Sequence, residues 1–92
     1  MKIETSNTIQ IPSNIVSKSV DEDIVVLNLD DGTYFKLNET GAMVWEHLSK
    51  GKTIEDAIQF VLKEYESSYG VVKEDVISLI SSLRDENLIK IL

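Results

Sequence analysis

Asp30-Asp31-Gly32-Thr33-Tyr34-Phe35-Lys36-Leu37-Asn38-Glu39-Thr40-Gly41-Ala42-Met43-Val44-Trp45 packs a tight turn, a short strand and a helix start into sixteen consecutive residues. The Asp31-Gly32 pair suits the positive φ angles of a two-residue hairpin turn, so the segments on either side are expected to pair. Before it, Ile24-Val25-Val26-Leu27-Asn28-Leu29 is β-branched and apolar, the strongest strand signal in the chain. After it, Thr33-Tyr34-Phe35-Lys36-Leu37 returns as the partner strand. Asn38 then offers a side-chain oxygen to the free amides of a helix N-terminus. Upstream of this stretch the chain reads as strands, and downstream as helices.

Working upstream, Ile15–Val20 alternates loosely and is a candidate first strand, with Asp21-Glu22-Asp23 as a polar turn. Three strands in a meander follow, and the third is an edge strand because the chain leaves the sheet after it. Residues 1–14 form a polar arm that either lies on the domain or frays. Ile9-Gln10-Ile11 within it suggests an extended piece, which Pro12 keeps out of any central strand.

Working downstream, the first helix carries Met43, Val44, Trp45 and Leu48 and ends at Lys50-Gly51, a basic last turn with a terminal glycine. Thr53-Ile54-Glu55-Asp56 has the form of a capping box. Ile54, Ala57, Ile58, Val61, Leu62 and Tyr65 then make a helical stripe. Residues 66–70 break the pattern and read as a loop. The spacing predicts a third helix from about Val72 to Asp85 or Glu86, with Val72, Val76, Ile77, Leu79, Ile80 and Leu83 as its apolar set. Leu79 lies at one border of that set, next to Asp75, Ser82 and Glu86, and Ile77 lies at the opposite border. The apolar arc is wider than contact with two helices demands. Residues 87–92 close the chain as an extended apolar tail. The expected fold is α+β, with residues 15–92 forming a three-stranded antiparallel sheet followed by three helices.

Ninety-two residues make one small domain, enough for a single core but not for a deep cavity. The chain has no cysteine, which excludes disulfides, thiolate nucleophiles and Cys-based metal sites and suits a reducing cytoplasm. The N-terminus lacks the apolar core of a signal peptide, and no run reaches the length of a membrane span. His47 is the single histidine, so no second one completes a transition-metal site. The acidic clusters sit in turns and lack calcium-loop spacing. The four glycines are too scattered to cradle a phosphate. No catalytic residue, metal or cofactor is expected. A net charge of −7 disfavours nucleic acid. A winged helix would use the third helix for recognition, and Lys73 and Arg84 are outnumbered there by Glu74, Asp75, Asp85 and Glu86.

The edge strand remains. An unpaired strand edge is a template for another chain, which a protein must block or use. Strand addition draws affinity from backbone hydrogen bonds and specificity from side-chain pockets. The wide arc of the third helix would wall such a pocket. Periodicity leaves a plainer alternative open, in which Leu79 and Ile77 complete the core and Lys36 protects the edge.

Gly32-Thr33-Tyr34-Phe35-Lys36-Leu37-Asn38-Glu39-Thr40-Gly41 with Val44-Trp45 and Leu48, then Gly51-Lys52-Thr53-Ile54-Glu55-Asp56-Ala57-Ile58, then residues 72–83 with Leu88-Ile89, together resemble the PqqD family. The similarity runs from about Ile15 to Leu92, and its most specific piece is L-N-x-T-G-x-x-x-W. That family, the RiPP recognition element, is a winged helix-turn-helix-like domain that binds the leader of a ribosomally made precursor peptide. There the leader adds as a strand to the third strand, beside the third helix. The resemblance implies a peptide-binding strand over Thr33–Asn38, with Tyr34, Phe35, Lys36 and Leu37 as its centre. It implies a helix wall of Asp75, Val76, Leu79, Ser82 and Leu83, with Asp75 meeting a basic leader residue or capping a backbone amide. A lone domain with an N-terminal arm is most similar to the free-standing leader-binding proteins of lasso-peptide clusters, which serve a separate cysteine-protease-type leader peptidase. The alternative within the family is a peptide chaperone for a radical-SAM enzyme. The expected partners are therefore a leader peptide and a processing enzyme supplied in trans, with no membrane or nucleic acid and the chain itself a monomer. A DNA-binding winged helix is the competing reading of another class.

Overall fold

The computed structural model describes residues 2–92. Its elements run β1 (Ile9–Gln10), β2 (Ile15–Val20), β3 (Asp23–Asn28), β4 (Tyr34–Leu37), α1 (Glu39–Ser49), α2 (Ile54–Glu64), α3 (Tyr69–Asp85) and β5 (Lys90–Ile91). The order β2-β3-β4 forms a three-stranded antiparallel sheet, and the three helices follow it in the chain. The α+β, winged helix-turn-helix-like architecture is as expected. The strand read as the third from sequence is β4.

β3 is the centre of the sheet. Its even-numbered residues are buried, Ile24 and Val26 in the core and Asn28 where its Oδ1 accepts from Asn14 and the Asp30 amide, and its odd-numbered ones face outward. The inner face of the sheet meets a core of Leu37, Val44, Trp45, Leu48, Ile54, Ala57, Ile58, Val61, Val72, Val76, Ile80 and Leu83, all buried. β2 contributes little to it, since Ile15 is its single buried residue and Val16 and Val20 are both exposed.

The two hairpins depart from expectation in opposite ways. Asp21-Glu22 links β2 to β3 as the two-residue turn, with Val20 opposite Asp23 and Asp21 at φ 57°. The turn at Asp30-Asp31-Gly32 is longer: the Asn28 amide reaches the Thr33 carbonyl at 2.9 Å, leaving residues 29–32 as the loop. Only Gly32 there has a positive φ, 75°. Side chains open this turn. Asn28 Oδ1 accepts from the Asp30 amide at 2.9 Å, and Asp31 Oδ1 accepts from the Thr33 amide at 2.9 Å. Asx-type bonding of this sort competes with the tight turn that the Asp-Gly pair otherwise favours.

The helix caps follow the sequence closely at two of three sites. Asn38 Oδ1 accepts from the Gly41 amide at 2.9 Å, and Thr53 and Asp56 form the reciprocal capping box. α3 begins earlier than predicted, at Tyr69, because Ser68 caps it by accepting from the Val71 amide. Gly70 therefore sits in the first turn rather than ending a loop. At the far end Asn87 takes φ 60°, and the Leu88 amide returns to the Leu83 carbonyl at 2.9 Å. This Schellman closure buries Leu88 and turns the tail back.

That reversal explains the arm. β5 pairs antiparallel with β1, so Ile9 lies opposite Ile91 and Gln10 opposite Lys90. The Asn7 and Thr5 carbonyls accept from the Ile54 and Glu55 amides at 3.0 and 2.8 Å, satisfying two free donors at the start of α2. Ile9 is 7% exposed and belongs to the core. The arm is thus laid on the domain against α1, β5 and the start of α2. Because this isoleucine seals the rim of the core, Ile9→Ala is expected to cost about 2 kcal/mol. Urea unfolding checks it, and an unchanged midpoint would contradict the role given to the arm.

Candidate functional site

Antiparallel ladders alternate between pairs that exchange N–H···O bonds and pairs that do not. The bond from the Asn28 amide to the Thr33 carbonyl sets the phase. Val26 with Phe35 and Ile24 with Leu37 are then the bonded pairs, while Leu27 with Tyr34 and Val25 with Lys36 are not. Phe35 and Leu37 spend their backbone groups on β3. Tyr34 and Lys36 turn theirs outward, along an edge that no other described strand pairs with.

Side chains alternate in the opposite sense. Phe35 and Leu37 point toward the helices, Phe35 half-buried and Leu37 fully buried. Tyr34 and Lys36 lie on the outer face of the sheet, where Tyr34 is 72% exposed and Lys36 Nζ stands 3.5 Å from Asp23 Oδ2.

Beside the open edge runs a groove with a cavity volume of about 440 Å³. β4 gives it Phe35, Lys36 and Leu37, α3 gives it Asp75, Val76 and Leu79, and the start of α1 completes it with Thr40, Gly41 and Val44. Gly41 matters for the fit of α1 against the strand: a Cβ there would stand 3.3 Å from Leu37 Cβ. The groove walls carry apolar Leu37, Val44, Val76 and Leu79 together with polar Asn38, Thr40 and Asp75, while the ammonium of Lys36 lies on the outer face beside Asp23. Such a surface has the donors, acceptors and apolar side chains to take an extended ligand, with backbone bonds on one side and apolar contact on the other.

Of the predicted residues, Phe35, Lys36, Leu37, Asp75, Val76 and Leu79 come together here. The Leu79 border of α3 is therefore the one facing β4, and Ile77 lines a separate depression with Ser78 and Ser81. Ser82 lines that second depression too, and Leu83 is wholly buried, so neither stands in the groove wall. Thr33 is exposed in the hairpin and Tyr34 faces away on the outer side. Asn38, at the end of the expected strand, lines the groove as well, whereas Thr40, Gly41 and Val44 were not among the expected residues. Their signal was adjacency: a helix that starts one residue after an edge strand must bring its first turns to that strand's end. His47 is elsewhere, with Nδ1 3.1 Å from the Met43 carbonyl and its ring 4.3 Å from that of Phe60.

Residues 23–89 match the family model described as coenzyme PQQ synthesis protein D (PqqD). The chain belongs to the PqqD family. The matched span includes β3, β4 and all three helices, hence both walls of the groove. Two solved structures are similar. One, described as TbiB1 in complex with the TbiA(beta) leader peptide, is 30% identical with a TM-score of 0.82, covering 87% of this chain and 93% of that one. The other, lasso peptide synthetase B1 complexed with the leader peptide, is 30% identical with a TM-score of 0.79, covering 91% and 96%. No curated protein sequence matches the chain. In this PqqD-like RiPP recognition element, β4 and α3 stand on either side of the groove. No described helix is long and apolar enough to cross a membrane.

The hairpin that aims β4 titrates. Hydrogen bonds from the Thr33 hydroxyl and amide hold the Asp31 carboxyl below its ordinary value of 3.8. A lowered pKa in the folded state means stabilisation that is present above the unfolded value and is lost as pH falls through the folded one. Asp31→Asn removes that titration. The acid limb of the urea midpoint against pH, below about pH 4, is expected to be shallower in the variant, and superimposable limbs would contradict the bond's role.

Proposed function

We propose that this chain is a non-catalytic adaptor that binds the leader of a ribosomally made precursor peptide as a strand added to β4, and presents that precursor to a separate processing enzyme. The observation that carries the proposal is the outward backbone of Tyr34 and Lys36 lying beside a groove whose helix walls present Val44, Val76 and Leu79. Two similar proteins, each 30% identical over most of its length, are described in complex with leader peptides, which supports the reading. The enzyme we infer is a lasso-peptide leader peptidase, with a radical-SAM enzyme as the PqqD-type alternative that the family match keeps in view.

The sheet has a second edge, β2, and comparison of the two favours β4. Along β2 every residue after Ile15 is exposed, on both faces of the strand. A peptide added there would gain backbone bonds but no apolar wall. At β4 the same bonds come with Leu79, Val76 and Val44 at the side. DNA binding is disfavoured by the charge of −7, which includes the acidic groups along α3.

Two substitutions separate the groove from the fold. Leu79→Glu puts a charge into the apolar wall at a half-buried position, and is expected to abolish binding of the precursor's leader peptide in calorimetry while the thermal transition persists. Lys36→Pro removes an amide that points away from β3, so the sheet is expected to survive while affinity falls about tenfold. Phe35→Pro instead removes a bond to β3 and is expected to destabilise the domain itself. Unaltered affinity in Leu79→Glu and Lys36→Pro would refute strand addition at this edge.

A further inference from the structure

The groove reads one side of an added strand, and the outer face of the sheet meets the other. β2, β3 and β4 line up their outward side chains in rows across the sheet. One row is Val16, Leu27 and Tyr34; the next is Lys18, Val25 and Lys36. The first is apolar and open to solvent, with Val16 42% and Tyr34 72% exposed. The second carries two of the nine basic residues of an acidic chain. Lys36 has one ion pair, a 3.5 Å contact to Asp23, and its side chain is 65% exposed.

A fourth strand on β4 lengthens both rows by one residue. Because the backbones of Tyr34 and Lys36 face the open edge, the peptide residues directly opposite them form bonded pairs with side chains on the outer face. The residue between those two points inward, to the groove. All existing pairings in this sheet are antiparallel, and sheets favour a single sense, so the added strand runs antiparallel to β4. The partner of Lys36 then lies two positions toward the peptide's N-terminus from the partner of Tyr34.

We propose that Tyr34 and Lys36 are specificity-determining residues that read the solvent side of the bound peptide, selecting an acidic residue, then any groove-facing residue, then an aromatic or β-branched one. The aromatic or β-branched residue extends the row of Val16, Leu27 and Tyr34, and the acidic one extends the row of Lys18, Val25 and Lys36. The inference rests on strand addition at β4, and it adds a second, outward-facing set of contacts to the groove.

The test is selection of a display library of random linear peptides on the immobilised full chain, with Leu79→Glu as the control. Cross-strand pairs of this kind correspond to about two- to fivefold enrichment at each position. Peptides recovered on the parent protein are expected to carry the acidic–any–aromatic or β-branched order. On Lys36→Glu the acidic preference should invert to a basic one, and on Tyr34→Ser the apolar preference should vanish, each leaving the other position unchanged. Enrichment that Lys36→Glu and Tyr34→Ser leave unaltered, or the reversed residue order, overturns this proposal while leaving strand addition standing. Equal recovery on parent and Leu79→Glu would instead overturn the groove itself.

Discussion

Among the described strands β4 is paired along one edge only, and the packing around it holds it in that condition. The bonded pairs with β3 fall on Phe35 and Leu37, which also send their side chains toward the helices. Both the backbone and the core contacts of the strand are thus committed through the same two residues. Tyr34 and Lys36 are left with outward backbone groups. Those groups are donors and acceptors open to an added strand. Strand exposure is ordinarily a hazard for a soluble domain. Here the flanking α3 and the first turns of α1 turn the edge into a groove, where a ligand strand gains apolar contact that a casual pairing would lack.

The helices serve this arrangement by position rather than by chemistry. Asn38 caps α1 one residue after β4 ends, so the strand and the helix start are rigidly joined. Gly41 lets that first turn sit against Leu37. α3 crosses alongside with Ile80 and Leu83 fully buried, which fixes the angle at which Val76 and Leu79 face the strand. The arm and the C-terminal tail are tied together through the β1–β5 pair and to the start of α2, and none of their described residues lines the groove.

Much of this was legible in the sequence because it depends on local period. The β-branched run of β3, the stripe of α2 and the caps at Asn38 and Thr53 each specify their own element. What was illegible depends on side chains acting across several residues or on contacts distant in sequence. Asn28 and Asp31 lengthen the hairpin by bonding to amides of the loop, which a dipeptide preference does not register. Ser68 starts α3 ahead of Gly70, whose flexibility reads as a break when taken alone. Pairing of Ile9 with Ile91 joins opposite ends of the chain, and no periodic signal reports it. At the groove, helical spacing placed Leu79 at a border but did not say which border β4 would meet. The family resemblance put Ser82 and Leu83 in the wall, but Ser82 lines the second depression and Leu83 is wholly buried in the core.

The central claim is that β4 accepts a peptide strand through the backbone of Tyr34 and Lys36. Residue-resolved amide hydrogen exchange, with and without the precursor's leader peptide, measures it directly. In the free protein the Phe35 and Leu37 amides should be protected and the Tyr34 and Lys36 amides should exchange rapidly. Saturating peptide should slow Tyr34 and Lys36 and leave the alternation otherwise intact. Bound peptide that leaves both of these amides in fast exchange would contradict the account.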